Sequence, residues 1–139
     1  MKKQLFAKLK LSIMSKKIIH TTAAPGAIGP YSQAIQTGNL LFVSGQIPIN
    51  PATNELVMDN IQDETKQVME NLKAVLSAAN VGFENIVKTT IFLSDMNLFA
   101  AVNEVYGSYF TGDYPARETV AVKGLPKGVN VEISVIAFV

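Results

Sequence analysis

Apolar and polar residues trade places with two different periods along this chain, and the periods mark its elements. From Val131 to Phe138 every second side chain repeats a face: Val131, Ile133, Val135 and Ala137 point one way, and Glu132, Ser134, Ile136 and Phe138 the other. That pattern predicts a strand with a buried aliphatic side. Glu118 to Val122 is a second β-like run, with Val120 and Val122 on one side and Arg117, Thr119 and Ala121 on the other. Gly124, Pro126 and Gly128 turn the chain between the two runs. If both aliphatic rows face one core, Arg117 and Glu132 project together from the opposite face. A guanidinium and a carboxylate so placed form either a solvated salt bridge, which contributes little, or a site for a small polar ligand.

The period changes after residue 60. Asn60 is positioned to cap a helix in which Ile61, Thr65, Val68, Leu72, Val75, Leu76 and Ala79 recur at spacings of three and four, with Asp63 and Glu64 in the first turn and Asn80 and Gly82 at the end. A second helix starts at Asp95 or Asn97 and runs through Phe110, with Leu98, Val102, Val105, Tyr106 and Tyr109 as its buried arc. Asn103 falls at the edge of that arc beside Phe99, Tyr106 and Phe110, where an amide braces a loop or meets a ligand. Ile86 to Leu93 is apolar and β-branched with little alternation, which predicts a strand covered on both faces, by helix on one and by a second copy of the chain on the other. Lys17 to Thr21 is a short strand ended by the loop AAPGAIGP. Ser32 to Gln36 and Leu40 to Ser44 form a hairpin around Gly38 and Asn39. Ile47 to Met58 is irregular, with a short strand at Glu55 to Val57. This order predicts an α+β fold in which two helices pack on one face of a mixed sheet.

Composition narrows the chemistry. The chain has 139 residues, enough for one domain with a real core. Apolar residues make up 48% and charged residues only 17%, a thin charge coat that suits a surface buried between subunits. A net charge of +1 without a basic stripe argues against a nucleic-acid partner. With no cysteine there is no disulfide, thiolate nucleophile or cysteine-ligated zinc, and a single histidine, His20, makes a histidine metal site or a Ser-His dyad improbable and reads as a strand-edge residue. Residues 1–14, MKKQLFAKLKLSIM, form a basic extension, dispensable or the product of an upstream start, ahead of a single domain over residues 15–139. Leu5, Leu9 and Ile13 would share one side of a short amphipathic helix there, but lysines interrupt any secretory apolar core, so a cytoplasmic protein without a membrane partner is expected. No run approaches the ~20 apolar residues of a membrane span.

The blocks GPYSQAI, FVSGQIPINP, ENLKAVLSAA, VKTTIFLSDMN, VNEVYGSYF, PARETVAV and LPKGVNVEI resemble, in order and spacing, the reactive intermediate deaminases, the RidA, YjgF or L-PSP type, from about Ile18 to Phe138. The resemblance implies a homotrimer of chorismate-mutase-like subunits with a ligand cleft at each interface. It implies hydrolysis of 2-enamine or 2-imine acids, such as 2-aminoacrylate, to 2-keto acids and ammonia, with no cofactor or metal. On matching positions, Arg117 is similar to the carboxylate-binding arginine and Glu132 to the acidic residue that holds water and carries a proton. Tyr31 corresponds to an aromatic wall, Ser44 and Gly45 to the cleft floor, and Asn103 to the cleft asparagine, while the backbone carbonyl near Thr119 would accept from the iminium. The family commonly reads PARSCVEV where this chain has PARETVAV, so Thr119 replaces a cysteine and Ala121 a glutamate; the first change bears on substrate range and oxidative regulation. Two other activities stay open on this resemblance: a non-catalytic trimer that binds small 2-keto acids, and RNA cleavage or translation inhibition. The near-neutral charge and the missing histidine pair count against the latter.

Overall fold

A computed structural model describes residues 1–5 and 15–139. Its strands are β1 (Lys16–Ile19), β2 (Ala34–Thr37), β3 (Leu40–Gln46), β4 (Ile49–Asn50), β5 (Glu55–Leu56), β6 (Ile86–Leu93), β7 (Ala116–Ala121) and β8 (Val131–Phe138), and its helices are α1 (Ile61–Ala78) and α2 (Phe99–Gly107). The large sheet runs β1-β2-β3-β8-β6-β7, with β4 and β5 as a separate small hairpin. Every pairing in the large sheet is antiparallel except β6 with β7, whose parallel alignment follows from the α2 crossover between them. The fold is therefore the expected mixed α+β arrangement. The amphipathic helix suggested for residues 1–14 falls largely on residues 6–14, outside the described ones.

The core forms where α1 meets the sheet. Val68, Leu72, Val75 and Leu76 pack with Leu41, Ile91, Leu93, Val131 and Ile133, all essentially sealed from solvent, and α2 packs against α1. Asn60 holds the start of α1: its Oδ1 accepts from the Asp63 backbone N–H at 2.8 Å while its Nδ2 donates to Asp63 Oδ2 at 2.9 Å. Asn60→Ala is expected to lower unfolding free energy by about 1 kcal/mol, read as a shifted urea midpoint with unchanged slope. Asn80, at φ 59°, ends the helix in the left-handed conformation, as its position in the sequence suggested.

Several boundaries differ from the sequence reading for local reasons. The first strand stops at Ile19 because both backbone polar groups of Thr21 bond the Gln33 amide instead of a strand neighbour. The Gly38-Asn39 hairpin needs a positive φ only at Gly38 (56°), the type II′ pattern. Residues 47–58 contain the β4–β5 hairpin rather than a lone strand. Before α2, Asp95 accepts from the Asn97 N–H and opens a 3₁₀ turn over Met96–Leu98, and the helix ends at Gly107, where Ser108 Oγ donates to the Val105 carbonyl.

One expectation is overturned. Arg117 and Glu132 do not share a sheet face. The β6–β7 register sets Arg117, Thr119 and Ala121 beside Thr89, Ile91 and Leu93, on the helix-covered side, whereas Glu118 and Val120 lie beside Thr90 and Phe92, on the uncovered side with Glu132. The aliphatic parity of β7 misleads because the uncovered face is itself apolar. Ile18, Phe42, Val120 and Phe138 all lie there and are exposed by 42–62%. The other face of β6, for which a second copy of the chain is the expected cover, carries Lys88, Thr90 and Phe92, half-exposed in the single chain, and Lys88 pairs with Glu118 at 3.1 Å.

Candidate active site

The chemistry-bearing residues fall into two clefts. The first is built by β7 and α2. Phe99, Asn103 and Tyr106 recur at helical spacing along one side of α2, and Arg117 reaches them from the edge strand. Arg117 Nη1 donates to Asn103 Oδ1 at 2.6 Å, and its Cζ lies over the Phe99 and Tyr106 rings at 5.5 and 5.2 Å from their centroids. Tyr106 is buried and donates its hydroxyl to Thr89 Oγ1 at 3.0 Å. Burial raises the pKa of that phenol, an effect opposed by the Thr89 bond and the Arg117 charge. Asn103, Tyr106, Gly107, Tyr114, Pro115 and Arg117 line a cleft of about 510 Å³. Thr119, two residues on and facing the same way as Arg117, has a buried hydroxyl with no hydrogen-bond partner among the described residues.

The second cleft, about 600 Å³, brings together Tyr31, Ser44, Gly45 and Glu132, with Lys127 at its wall. The bulge in β3 between Val43 and Gln46 sets Gly45 against Glu132, and a Cβ on Gly45 would overlap the carboxylate oxygen Oε1. Glycine here is a matter of space, because its φ is not in the left-handed region. Gly45→Ala is expected to push the Glu132 carboxylate aside and lower kcat on the order of 10²-fold while thermal unfolding changes little. Ser44 is a brace as well as floor: its hydroxyl donates to the Ser32 carbonyl at 2.6 Å and ties down the loop that carries Tyr31. Buried Gln33 fastens the other end of that loop, donating to the carbonyls of Thr21 and Pro25 at 3.0 and 2.9 Å. Glu132 is half-buried, and desolvation raises its carboxyl pKa, which favours a proton carrier over a fixed charge.

Sequence reasoning placed Tyr31, Ser44, Gly45 and Glu132 in one site, and they do meet. It placed Arg117 and Asn103 in the same site, and they meet each other in the other cleft. What it missed is the support around Arg117, from Phe99, Tyr106 and Thr89, and the position of Lys127. The spacing of Phe99 and Tyr106 around Asn103 set them on one side of the helix but did not separate them from core residues.

The family model described as Endoribonuclease L-PSP matches residues 21–139. A mouse protein named 2-iminobutanoate/2-iminopropanoate deaminase is 47% identical over 127 residues, covering 91% of this chain and 94% of that one. The solved structure of YyfA from Yersinia pestis, described as a protein of unknown function of the conserved Rid protein family, is 52% identical with a TM-score of 0.88, over 90% of this chain and all of that one. The structure of E. coli TdcF with bound serine is 45% identical with a TM-score of 0.85, over 88% of this chain and 98% of that one. Both the fold and the matched residues lead to one assignment: the chain belongs to the L-PSP family, among whose members are proteins carrying the Rid and 2-iminobutanoate/2-iminopropanoate deaminase names.

Proposed function

We propose that this protein is a homotrimeric hydrolase that converts 2-enamine and 2-imine acids to 2-keto acids and ammonia. The observation that carries the reading is the separation of its two half-sites. A positioned guanidinium sits in one cleft, and a carboxyl with raised pKa sits in another on the opposite face of the sheet. A second copy that covers the apolar sheet face can bring its Glu132 cleft against the first copy's Arg117 cleft. The exposed Ile18, Phe42, Val120 and Phe138 supply the hydrophobic surface for such contact.

A 2-imino acid presents a carboxylate, an electrophilic C2 and a nitrogen that must leave protonated. Arg117 offers the carboxylate a planar, permanently charged fork, and such a charge-assisted contact contributes roughly 1.5 to 3 kcal/mol when desolvated. Glu132 takes a proton from water as the oxygen bonds to C2 of the iminium, then returns it to the nitrogen of the resulting carbinolamine. As the C–N bond breaks, the Glu132 carboxylate takes the carbinolamine O–H proton so that the keto carbonyl forms, and it passes that proton to the ammonia, which departs with the keto acid as ammonium. An enamine enters the same path after the protonated Glu132 carboxyl gives its proton to C3, which leaves the carboxylate that then takes a proton from water. Tyr31 walls the site, and the Thr119 hydroxyl, which has no partner among the described residues, is a hydrogen-bonding group for the bound molecule. No step calls for a cofactor or metal.

The structure of TdcF with bound serine supports a small amino-acid-like ligand and equally favours a second reading, a trimer that binds small carboxylates without turning them over. The two readings separate in a coupled assay. A pyridoxal-phosphate dehydratase acting on serine releases 2-aminoacrylate, and pyruvate appearance is expected to accelerate in proportion to added protein. No acceleration over the spontaneous rate leaves only the binding reading. A cytoplasmic location and the absence of a nucleic-acid partner belong to the same proposal. No helix among the described residues is long and apolar enough to cross a membrane.

A further inference from the structure

Arg117 stands exposed on an edge strand, where a long side chain ordinarily keeps much of its rotamer freedom. Three neighbours restrict it here. Asn103 accepts one of its five N–H groups, and the rings of Phe99 and Tyr106 lie beneath its Cζ. The tyrosine is held in turn. Its hydroxyl donates to Thr89, a fully buried residue in a row otherwise made of Ile86, Ile91 and Leu93. A hydroxyl in that row is unfavourable unless it is hydrogen-bonded, and the Tyr106 phenol satisfies it. Thr89 is also the register partner of Arg117 across the β6–β7 pairing. The contacts therefore close a ring from β7 through α2 to β6 and back to β7.

We propose that Tyr106 and Thr89 are positioning residues for Arg117, their buried hydrogen bond fixing the tyrosine ring where it presets the guanidinium for an incoming carboxylate. Packing against Phe110 holds the buried ring from one side, and the anchored hydroxyl ties it to the strand beside Arg117. The arginine thereby gives up rotamer entropy on folding rather than on binding. This role deepens the proposed function and rests on it only for its kinetic readout.

The test uses Tyr106→Phe, Thr89→Val and the double variant, with 2-oxobutanoate as an unreactive carboxylate probe. Each single change is expected to raise the calorimetric Kd for 2-oxobutanoate, and KM for the imine, by about threefold to tenfold with kcat within about twofold. The double variant should be no worse than the weaker single, because both remove one bond. Tyr109→Phe, which loses a bond to Glu70 on the far side of α2, should leave Kd unchanged. Additive losses, or an effect on thermal stability alone, overturn the proposal. If the wild type neither binds 2-oxobutanoate nor hydrolyses imines, the functional reading fails and the Arg117 Nε–H resonance decides the positioning role. Exchange broadening in Tyr106→Phe supports it, and an unaltered resonance overturns it.

Discussion

Arg117→Ala is expected to abolish imine hydrolysis, lowering kcat/KM on the order of 10³-fold or more, while the fold survives. The loss has two sources. Removing the guanidinium deletes a charge-assisted contact of roughly 1.5 to 3 kcal/mol, and it also releases the substrate carboxylate, so C2 no longer lies where water is activated, a misplacement that costs ~10²-fold by itself. The fold should survive because the side chain is exposed on the edge strand, bonds only the exposed Asn103 among the described side chains and fills no core space. Arg117→Lys is expected to fall between, since it keeps the charge and loses the fork. Steady-state hydrolysis of an imine generated in place reads the activity, and the urea midpoint reads the fold. Undiminished turnover by Arg117→Ala would remove the arginine, and with it the deaminase reading.

Local signals carried much of this structure. The bounds of β6 and β8 follow from the sequence because a strand needs only its own residues to declare itself, and α1 follows from its period and the Asn60 cap. The orientation of β7 does not, and the reason is physical. Hydrophobic parity tells inside from outside only where one face of a sheet meets water, and here Val120 belongs to an apolar face that no helix covers. What fixes the parity is register with β6, a non-local pairing that a chain's pattern does not reveal. Asn103 was visible as a polar residue at the edge of a buried arc. Tyr106 and Phe99 were visible as positions but not as roles, because an aromatic on that arc is indistinguishable from core until Arg117 is seen over its ring. Ser44 shows the same limit. Its place in the cleft was legible, and its bond to the Ser32 carbonyl depends on the path of a loop that bends back on itself.

Glu132→Gln is expected to bind carboxylates through an intact Arg117 yet lose ~10² to 10⁴ in rate, since glutamine cannot shuttle a proton. The loss should come without unfolding. Burial raises the Glu132 pKa above its unfolded value, so the folded state holds the proton more tightly; ionised Glu132 subtracts stability as pH climbs from the unfolded pKa through the folded one. Glutamine removes that penalty, and the variant should be somewhat more stable than wild type at neutral pH and equal to it in acid. Mixing then tests where the site lies. If each site takes Arg117 from one copy and Glu132 from its neighbour in a cyclic trimer, any trimer containing both Arg117→Ala and Glu132→Gln chains has one intact site of three. Random reassembly of equal amounts makes three-quarters of the trimers mixed, so two inactive proteins should regain about a quarter of wild-type activity after joint refolding. Were each chain to hold a complete site of its own, mixing would restore nothing. The opposite sheet faces occupied by Arg117 and Glu132 make recovery the expected result.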